Sequence, residues 1–247
     1  MKKIGIIIPT YNEKKNINIL ISNLVKFLKN SNFEPTILVI DDNSPDNTSE
    51  EIKKMNGFNE TIFLIVREAK LGLGSAYLVG YEWMLDHSID FVIQMDADNS
   101  HPPNIAPELG KLIYDNNDVV IASRYVGSGG VKSWPLRRRI ISQVANYLVR
   151  FFLVTGIKDN TSGYRAFNKT AMNMLLKTQI TSKGFSYLPE SAFFFRKNHF
   201  RIIEFPFIFE DRALGETKLS YFEILGFLKS IIRLCFGNLK GTYNKPQ

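Results

Sequence analysis

Five largely apolar runs punctuate the first half of the chain: Ile4 to Ile8, Thr36 to Ile40, Ile62 to Val66, Phe91 to Met95 and Val119 to Ala122. They are rich in Ile and Val and lack the alternation of a half-exposed strand, so each is predicted to be a strand covered on both faces. Between the first two, apolar residues at 17, 20, 21, 24, 25 and 28 form one helical stripe and predict a helix over Asn16–Leu28. Thr48-Ser49-Glu50-Glu51 has capping-box spacing for the start of a second helix. A βαβαβ order of this kind implies an α/β fold with a mainly parallel central sheet and helices on both faces.

Beyond residue 125 the pattern is less regular. It predicts a helix from about Arg138 to Val154, a loop Asp159 to Gly163, a helix through Ala171 to Leu176, an aromatic segment Phe193 to Phe195 and a strand-like stretch Arg201 to Phe209. No internal repeat or low-complexity linker separates the halves, so the boundary near 125 is a change of role within one fold.

Composition narrows the class. With 247 residues, 45% hydrophobic and 22% charged, the chain is an ordinary globular protein with room for one sizeable core. A single cysteine, Cys235, excludes a disulfide framework and a cysteine-based zinc site, and fits a reducing compartment. The apolar start before Pro9 is too short for a signal peptide, and Glu223, Lys229 and Arg233 interrupt the most apolar stretch, Leu219 to Phe236, so neither export nor a transmembrane span is expected. The net charge of +7 is unevenly distributed. Residues 1 to 120 hold 11 Lys and Arg against 17 Asp and Glu (net −6), and residues 121 to 247 hold 20 against 7 (net +13). Fourteen of the 19 Phe also lie beyond residue 150. A basic, aromatic half suits anionic lipid or a phosphorylated substrate. Nucleic acid is not expected as a partner, because the Phe runs read as core or lipid contact and no nucleic-acid motif is present.

Candidate chemistry collects at strand ends. The first strand runs into Pro9-Thr10-Tyr11-Asn12-Glu13, the second into Asp41-Asp42-Asn43-Ser44-Pro45-Asp46, and the fourth into Asp96-Ala97-Asp98-Asn99-Ser100-His101. In a parallel sheet these ends share one edge, the crevice where open α/β sheets bind ligands. Each cluster alone is good turn chemistry; three at one edge predict a site. The first turn lacks G-x-G-x-x-G and no P-loop is present, which argues against a nicotinamide, flavin or P-loop enzyme. Asp96-x-Asp98 after a buried strand can present carboxylate oxygens to a hard divalent ion, Mg²⁺ or Mn²⁺, carrying a nucleotide diphosphate. Arg137-Arg138-Arg139 opens a helix whose next turn brings Ser142 onto the face of Arg138, where the two can hold one anion.

Taken in order, these motifs, with Gly72-Leu73-Gly74, Ser123-Arg124, Asp159-x-Thr161-Ser162-Gly163-Tyr164-Arg165 and Arg212-x-x-Gly215-x-Thr217-Lys218, resemble inverting glycosyltransferases of family 2 with the GT-A fold. Within that family the likeness is to the polyprenol-phosphate (dolichol-phosphate) mannosyltransferases. The resemblance implies a catalytic domain over 1–218, with a nucleotide- and metal-binding half (1–125) and an acceptor half (126–218), followed by an interfacial helix and tail (219–247). It implies that Pro9, Tyr11, Glu13, Asp42 and Asp96 bind the donor, with Arg212 and Lys218 closing over it. Asp96, Asp98 and Ser100 would hold the metal, Ser100 standing where relatives can carry Gln. Arg124, Arg138 and Ser142 would receive the acceptor phosphate, and Asp96, Asp98, Arg124 and Arg138 would carry catalysis. Thr217 and Tyr164 replace a more usual Ser and Phe and keep the chemical type.

The implied reaction moves a hexose, mannose from GDP-mannose first, from a nucleotide sugar to polyprenyl phosphate. UDP-glucose is the rival donor, a hydroxyl acceptor the rival acceptor, and a membrane-surface binding protein the non-enzymatic alternative. From Ser220 onward, polar positions 220, 223, 226, 230, 233 and 237 recur every three or four residues among apolar ones, which predicts an amphipathic helix lying in the headgroup region or against a small membrane protein. The expected location is cytoplasmic, peripheral on the cytoplasmic face of a membrane.

Overall fold

A computed structural model describes residues 1–178, 180–182, 184–210 and 221–240, the first three of the last segment by backbone alone. Arg212, Gly215, Thr217, Lys218 and Ser220, all singled out in the sequence, lie outside the described residues.

The five apolar runs are all strands, extended by a few residues at most: β1 (Lys2–Thr10), β2 (Phe33–Asp41), β3 (Ile62–Val66), β4 (Phe91–Gln94) and β5 (Val119–Ser123). Helices α1 (Lys14–Asn30), α2 (Thr48–Lys53), α3 (Leu73–Asp86) and α4 (Ala106–Tyr114) connect them. There follow β6 (Gly130–Val131), α5 (Leu136–Leu153), β7 (Arg165–Asn168), α6 (Lys169–Lys177), α7 (Tyr187–Lys197), β8 (Ile202–Pro206), β9 (Ile208–Phe209) and α8 (Tyr221–Leu239). The main sheet has the order β3-β2-β1-β4-β7-β5-β8, parallel except for β7. Along β1, Ile4, Ile6 and Ile8 face a core shared with α1 and α4, while Ile7 faces a second core shared with α3, α6 and α7. Two cores explain why the inner strands read as continuous apolar runs; β3 departs from the expectation, since as the edge strand it is only partly covered and its Val66 is exposed.

β7 runs against its neighbours, pairing Arg165 with both Gln94 and Ile121. Its first residue therefore lies at the edge where β4 and β5 end, and the preceding loop, 159–164, joins the crevice. Arg165 is fully buried and spends its donors on the carbonyls of Ser162 (2.8 Å), Asn160 (2.8 Å) and Leu188 (3.0 Å) and on Ser191 Oγ (3.0 Å), fixing that loop to α7.

One local expectation changes. The capping box at Thr48 does not form: Asn47 caps α2 without a side-chain bond, and the Thr48 N–H goes to Asp46 Oδ1 at 3.0 Å. The Thr48 hydroxyl instead accepts the Glu13 N–H (3.0 Å) and donates to Asp46 Oδ1 (2.5 Å), so it joins two loops. In α8, the polar positions Ser230 and Arg233 face the rest of the protein. Arg233 pairs with buried Glu190 of α7 at 2.7 Å, Ser230 Oγ lies 3.0 Å from Ser182 Oγ, and Ile231 and Leu234 pack with Val149 and Leu153 of α5 and Phe193 and Phe194 of α7. The helix is seated by its polar positions because Glu190, 1% exposed, needs a cation. Leu225, Ile232 and Phe236 face outward at 45%, 56% and 59% exposure. α5 presents a matching outward stripe of Ile140, Val144, Tyr147 and Phe151.

Candidate active site

Three loops leave the carboxyl edge of the sheet, and each turns through an asparagine in the left-handed region: Asn12, Asn43 and Asn99 at φ 62°, 54° and 61°. Asp41, fully buried, accepts Thr10 Oγ1 at 2.9 Å and the Ser44 N–H at 3.0 Å. Ser44 Oγ in turn accepts the Asn12 N–H at 3.0 Å, and Asp46 Oδ2 accepts the Lys14 N–H at 3.0 Å. The start of α1 is thereby bound to the loop after β2, with the Glu13 N–H on Thr48 Oγ1 (3.0 Å) and the Asp42 N–H on the Thr10 carbonyl (3.1 Å). Tyr11 carries Lys70 Nζ 4.4 Å from its ring centre. Asp42 is engaged by Arg67, which also donates to Ser75 Oγ (2.7 Å) and the Gly72 carbonyl (3.1 Å). Arg67 was missed as a site residue. It meets Asp42 across 25 residues of sequence, a contact that the sequence alone does not signal.

On the loop after β4, Ser100 donates its N–H (3.1 Å) and hydroxyl (2.5 Å) to Asp98 Oδ1. His101 Nδ1 accepts the Asp96 N–H at 3.0 Å, so the neutral ring carries its proton on Nε2, 4.0 Å from Asp96 Oδ2. Burial lowers the His101 pKa, against the pull of Asp96 and Asp98, and keeps the imidazole neutral near pH 7. Its ring stacks on Tyr164 (4.9 Å) and meets Phe209 edge-on (5.9 Å). His101, quoted above only as part of a motif, is therefore the brace under Asp96. The 159–164 loop lies directly against this site: a Cβ at Gly163 would be in van der Waals contact with Asp96 Oδ1 and His101 Cε1, both at 3.4 Å. Asp96, Asp98 and Ser100 lie on one loop, after β4. Among the described residues no group of three or more His, Cys, Asp or Glu forms a metal cage. An all-oxygen pair of carboxylates fits a hard ion that takes its remaining ligands from substrate phosphates and water, the habit of Mg²⁺.

The third cluster lies across one aromatic layer. Arg124 is held by fully buried Asp159 through Nε (2.7 Å), Nη2 (2.6 Å) and its own N–H (2.9 Å), and Nη2 also donates to Thr161 Oγ1 at 2.8 Å. Burial would push the Asp159 carboxyl up, but Arg124 and these bonds hold it below the usual carboxylate range. The Arg124 guanidinium is raised by the same pair, against the cost of its own burial. Arg138 lies 4.1 Å over the Trp134 ring, and Arg124 is 5.3 Å from the same ring. Phe209, which touches His101, lies 5.7 Å from Arg124 and 5.9 Å from Arg138. Ser142 Oγ accepts the Tyr125 hydroxyl at 2.8 Å, and Asn146 ties α5 to the 159–161 loop through Thr161 Oγ1 (3.0 Å) and the Asn160 N–H (2.7 Å). Arg124, Arg138 and Ser142 thus form one cluster around Trp134 and Tyr125. Asp159 and Trp134 were not chosen as site residues, since neither a loop Asp nor an aromatic before Pro135 stands out in a sequence. Tyr125 also opens a groove of about 590 Å³ along α5, lined by Val144, Tyr147, Arg150 and Lys158 among others.

The model of the glycosyl transferase family 2 matches residues 5–176, which spans every strand from β1 to β7. The chain belongs to this family. It is 35% identical over 218 residues to the polyprenol monophosphomannose synthase of Mycolicibacterium smegmatis, covering 87% of this chain and 80% of that protein. It is 36% identical over 234 residues to the dolichol-phosphate mannosyltransferase of Pyrococcus furiosus, covering 94% of this chain but 63% of that longer protein. Among solved structures it superposes on glucosyl-3-phosphoglycerate synthase from Mycobacterium tuberculosis in complex with Mn²⁺, UDP and glucosyl-3-phosphoglycerate, with a TM-score of 0.66 and 16% identity, covering 95% of this chain and 80% of that one. The same enzyme with Mg²⁺ and UDP gives 0.67 at 18% identity, over 95% and 79%. These likenesses show a GT-A-like glycosyltransferase fold. As a family 2 member the chain is a glycosyltransferase.

Proposed function

We propose that the chain transfers mannose from GDP-mannose to polyprenyl phosphate with inversion at the anomeric carbon, the reading favoured by the names of its two curated relatives. The observation that carries it is the placing of a carboxylate pair and a cation pair on either side of one aromatic contact, His101 to Phe209. Pro9, Tyr11, Glu13 and Asp42 bind the nucleoside, with Arg67 fixing Asp42, and Arg212 and Lys218 are the further donor-binding residues of this reading. Asp96 and Asp98 hold Mg²⁺ or Mn²⁺, Ser100 sharing that loop through its bond to Asp98. The bound ion supplies charge neutralisation for the leaving diphosphate.

Arg124, Arg138 and Ser142 receive the acceptor phosphate. A phosphate is already anionic near neutral pH, so attack needs no general base, and the protein's contribution is alignment and electrostatics. Asp159 fits that division of work: its carboxylate is spent on Arg124 and serves to aim a cation. A neutral hydroxyl acceptor would need a carboxylate to take its proton, and among the described residues the carboxylate bonded to Arg124 is this committed one.

Arg138→Ala is expected to raise the KM for farnesyl phosphate tenfold or more, roughly the worth of one charge-assisted hydrogen bond, while the calorimetric Kd for GDP-mannose with Mg²⁺ stays within about twofold. Collapse of donor affinity with an unchanged acceptor KM would reverse the two roles.

The outward apolar stripes of α5 and α8, flanked by Arg137, Arg139, Lys229 and Lys240, suit the headgroup region of an anionic membrane, and a small membrane protein could share that face. Among the described residues no helix is long and apolar enough to cross a membrane. We place the protein on the cytoplasmic face of a membrane, where a lipid-linked acceptor is met. Replacing both Ile232 and Phe236 by Glu is expected to reduce cosedimentation with vesicles containing phosphatidylserine at least about tenfold, with the melting temperature little changed because both side chains are exposed. Undiminished vesicle binding would remove α8 from the membrane contact.

A further inference from the structure

Trp134 is 7% exposed, and its Nε1–H is buried without a hydrogen-bond partner. An indole N–H can only donate, so a buried one left unspent costs stability unless a ligand completes it. Five buried side-chain atoms among the described residues lack a partner, and this is the one that belongs to a ring between two guanidiniums, Arg138 at 4.1 Å and Arg124 at 5.3 Å from its centre. The ring is also held in place. Phe209 meets it at 5.2 Å in a T-shaped contact, and Pro135, the next residue, accepts the N–H groups of Arg138 (3.0 Å) and Arg139 (3.2 Å) to start α5. An immobile donor-only group beside two cations selects for an acceptor-only anion with several oxygens.

We infer that Trp134 is a direct ligand of the acceptor phosphate: its Nε1–H donates to one phosphate oxygen, and its face keeps Arg124 and Arg138 positioned for the others. The inference rests on the proposed acceptor and adds to it a neutral donor. Nε1 is shielded from solvent in the structure, so a phosphate oxygen meets it once the side chains at the ring edge shift. A phosphomonoester can engage two guanidiniums and the indole together.

The protein has two tryptophans, so ¹⁵N-labelled full-length chain gives two indole N–H signals. Trp83 stacks on His87 at 3.7 Å, at the opposite end of α3 from the site, and serves as the internal control. Trp134→Phe, which keeps a ring against Phe209, assigns the signals by the loss of one. On titration with farnesyl phosphate the Trp134 signal is expected to shift and the Trp83 signal to stay, while GDP with Mg²⁺ moves Trp134 less. Trp134→Phe is expected to raise the KM for farnesyl phosphate about tenfold, with the Kd for GDP-mannose within about twofold.

A Trp134 signal unmoved at farnesyl phosphate concentrations that saturate wild-type turnover overturns the inference and leaves the proposed reaction standing. So does a shift produced by GDP and not by farnesyl phosphate. If wild-type protein neither binds farnesyl phosphate nor transfers sugar to it, the proposed reaction fails and the inference with it. Should Trp134→Phe fold poorly, the wild-type titration still decides, with Trp83→Phe assigning the signals.

Discussion

Asp98→Asn is expected to lower mannosyl transfer about 10³-fold while shifting the melting temperature by no more than a few degrees. The substitution keeps the shape of the side chain and an oxygen that can accept the Ser100 N–H and hydroxyl, both of which meet Asp98 Oδ1. It removes a charge. If that charge holds the ion that neutralises the leaving diphosphate, its loss falls on the transition state, where misplaced electrostatics typically cost 10²- to 10³-fold and a lost metal costs more. Steady-state turnover at saturating donor and acceptor, alongside thermal melts, checks this. Excess chelator should silence the wild type to a similar degree. Normal turnover of Asp98→Asn, or undiminished wild-type activity in chelator, would remove the metal from the reaction.

The largest effect on stability is expected at Asp159. Asp159→Asn removes one partner of a fully buried ion pair and leaves the Arg124 guanidinium uncompensated, which costs about 3–5 kcal/mol. The pH dependence follows from the direction of the shift. Because the folded-state carboxyl is held below the ordinary value of about 3.9, its contribution is fully present above that value and is lost as the pH falls through the lowered one. The stability gap between wild type and Asp159→Asn should therefore be widest near pH 7 and narrow below about pH 4. Urea unfolding at pH 7 and pH 3 measures it, and a gap independent of pH would show that Asp159 is not stabilised as an anion. Activity of Asp159→Asn should also fall, through a misaimed Arg124.

The sheet was legible because burial on both faces writes itself into a sequence: Ile4 to Ile8 can be nothing but apolar when alternate residues enter two different cores. β7 was not legible. Arg165-Ala166-Phe167-Asn168 has no β-branched residue and contains a charge, and it is a strand because its neighbours supply a slot and because buried carbonyls satisfy Arg165. α8 shows the same limit. Its period was visible, but which side faces the protein depends on Glu190, 43 residues before Arg233 and silent until the two are brought together. At the site, residues that end strands could be read, since loop chemistry at one edge is a sequence property once the sheet is parallel. The residues that aim them, Arg67, His101, Asp159 and Trp134, could not, because each acts across a gap in sequence of 5 to 35 residues or through a ring face.

The central claim is that a sugar passes from a nucleotide to a lipid phosphate. Purified full-length protein given radiolabelled GDP-mannose, farnesyl phosphate and Mg²⁺ should produce organic-extractable label, with less from UDP-glucose and none when farnesol replaces farnesyl phosphate. Label transferred to farnesol or another hydroxyl as readily as to the phosphate, or no extractable label at all, would contradict it.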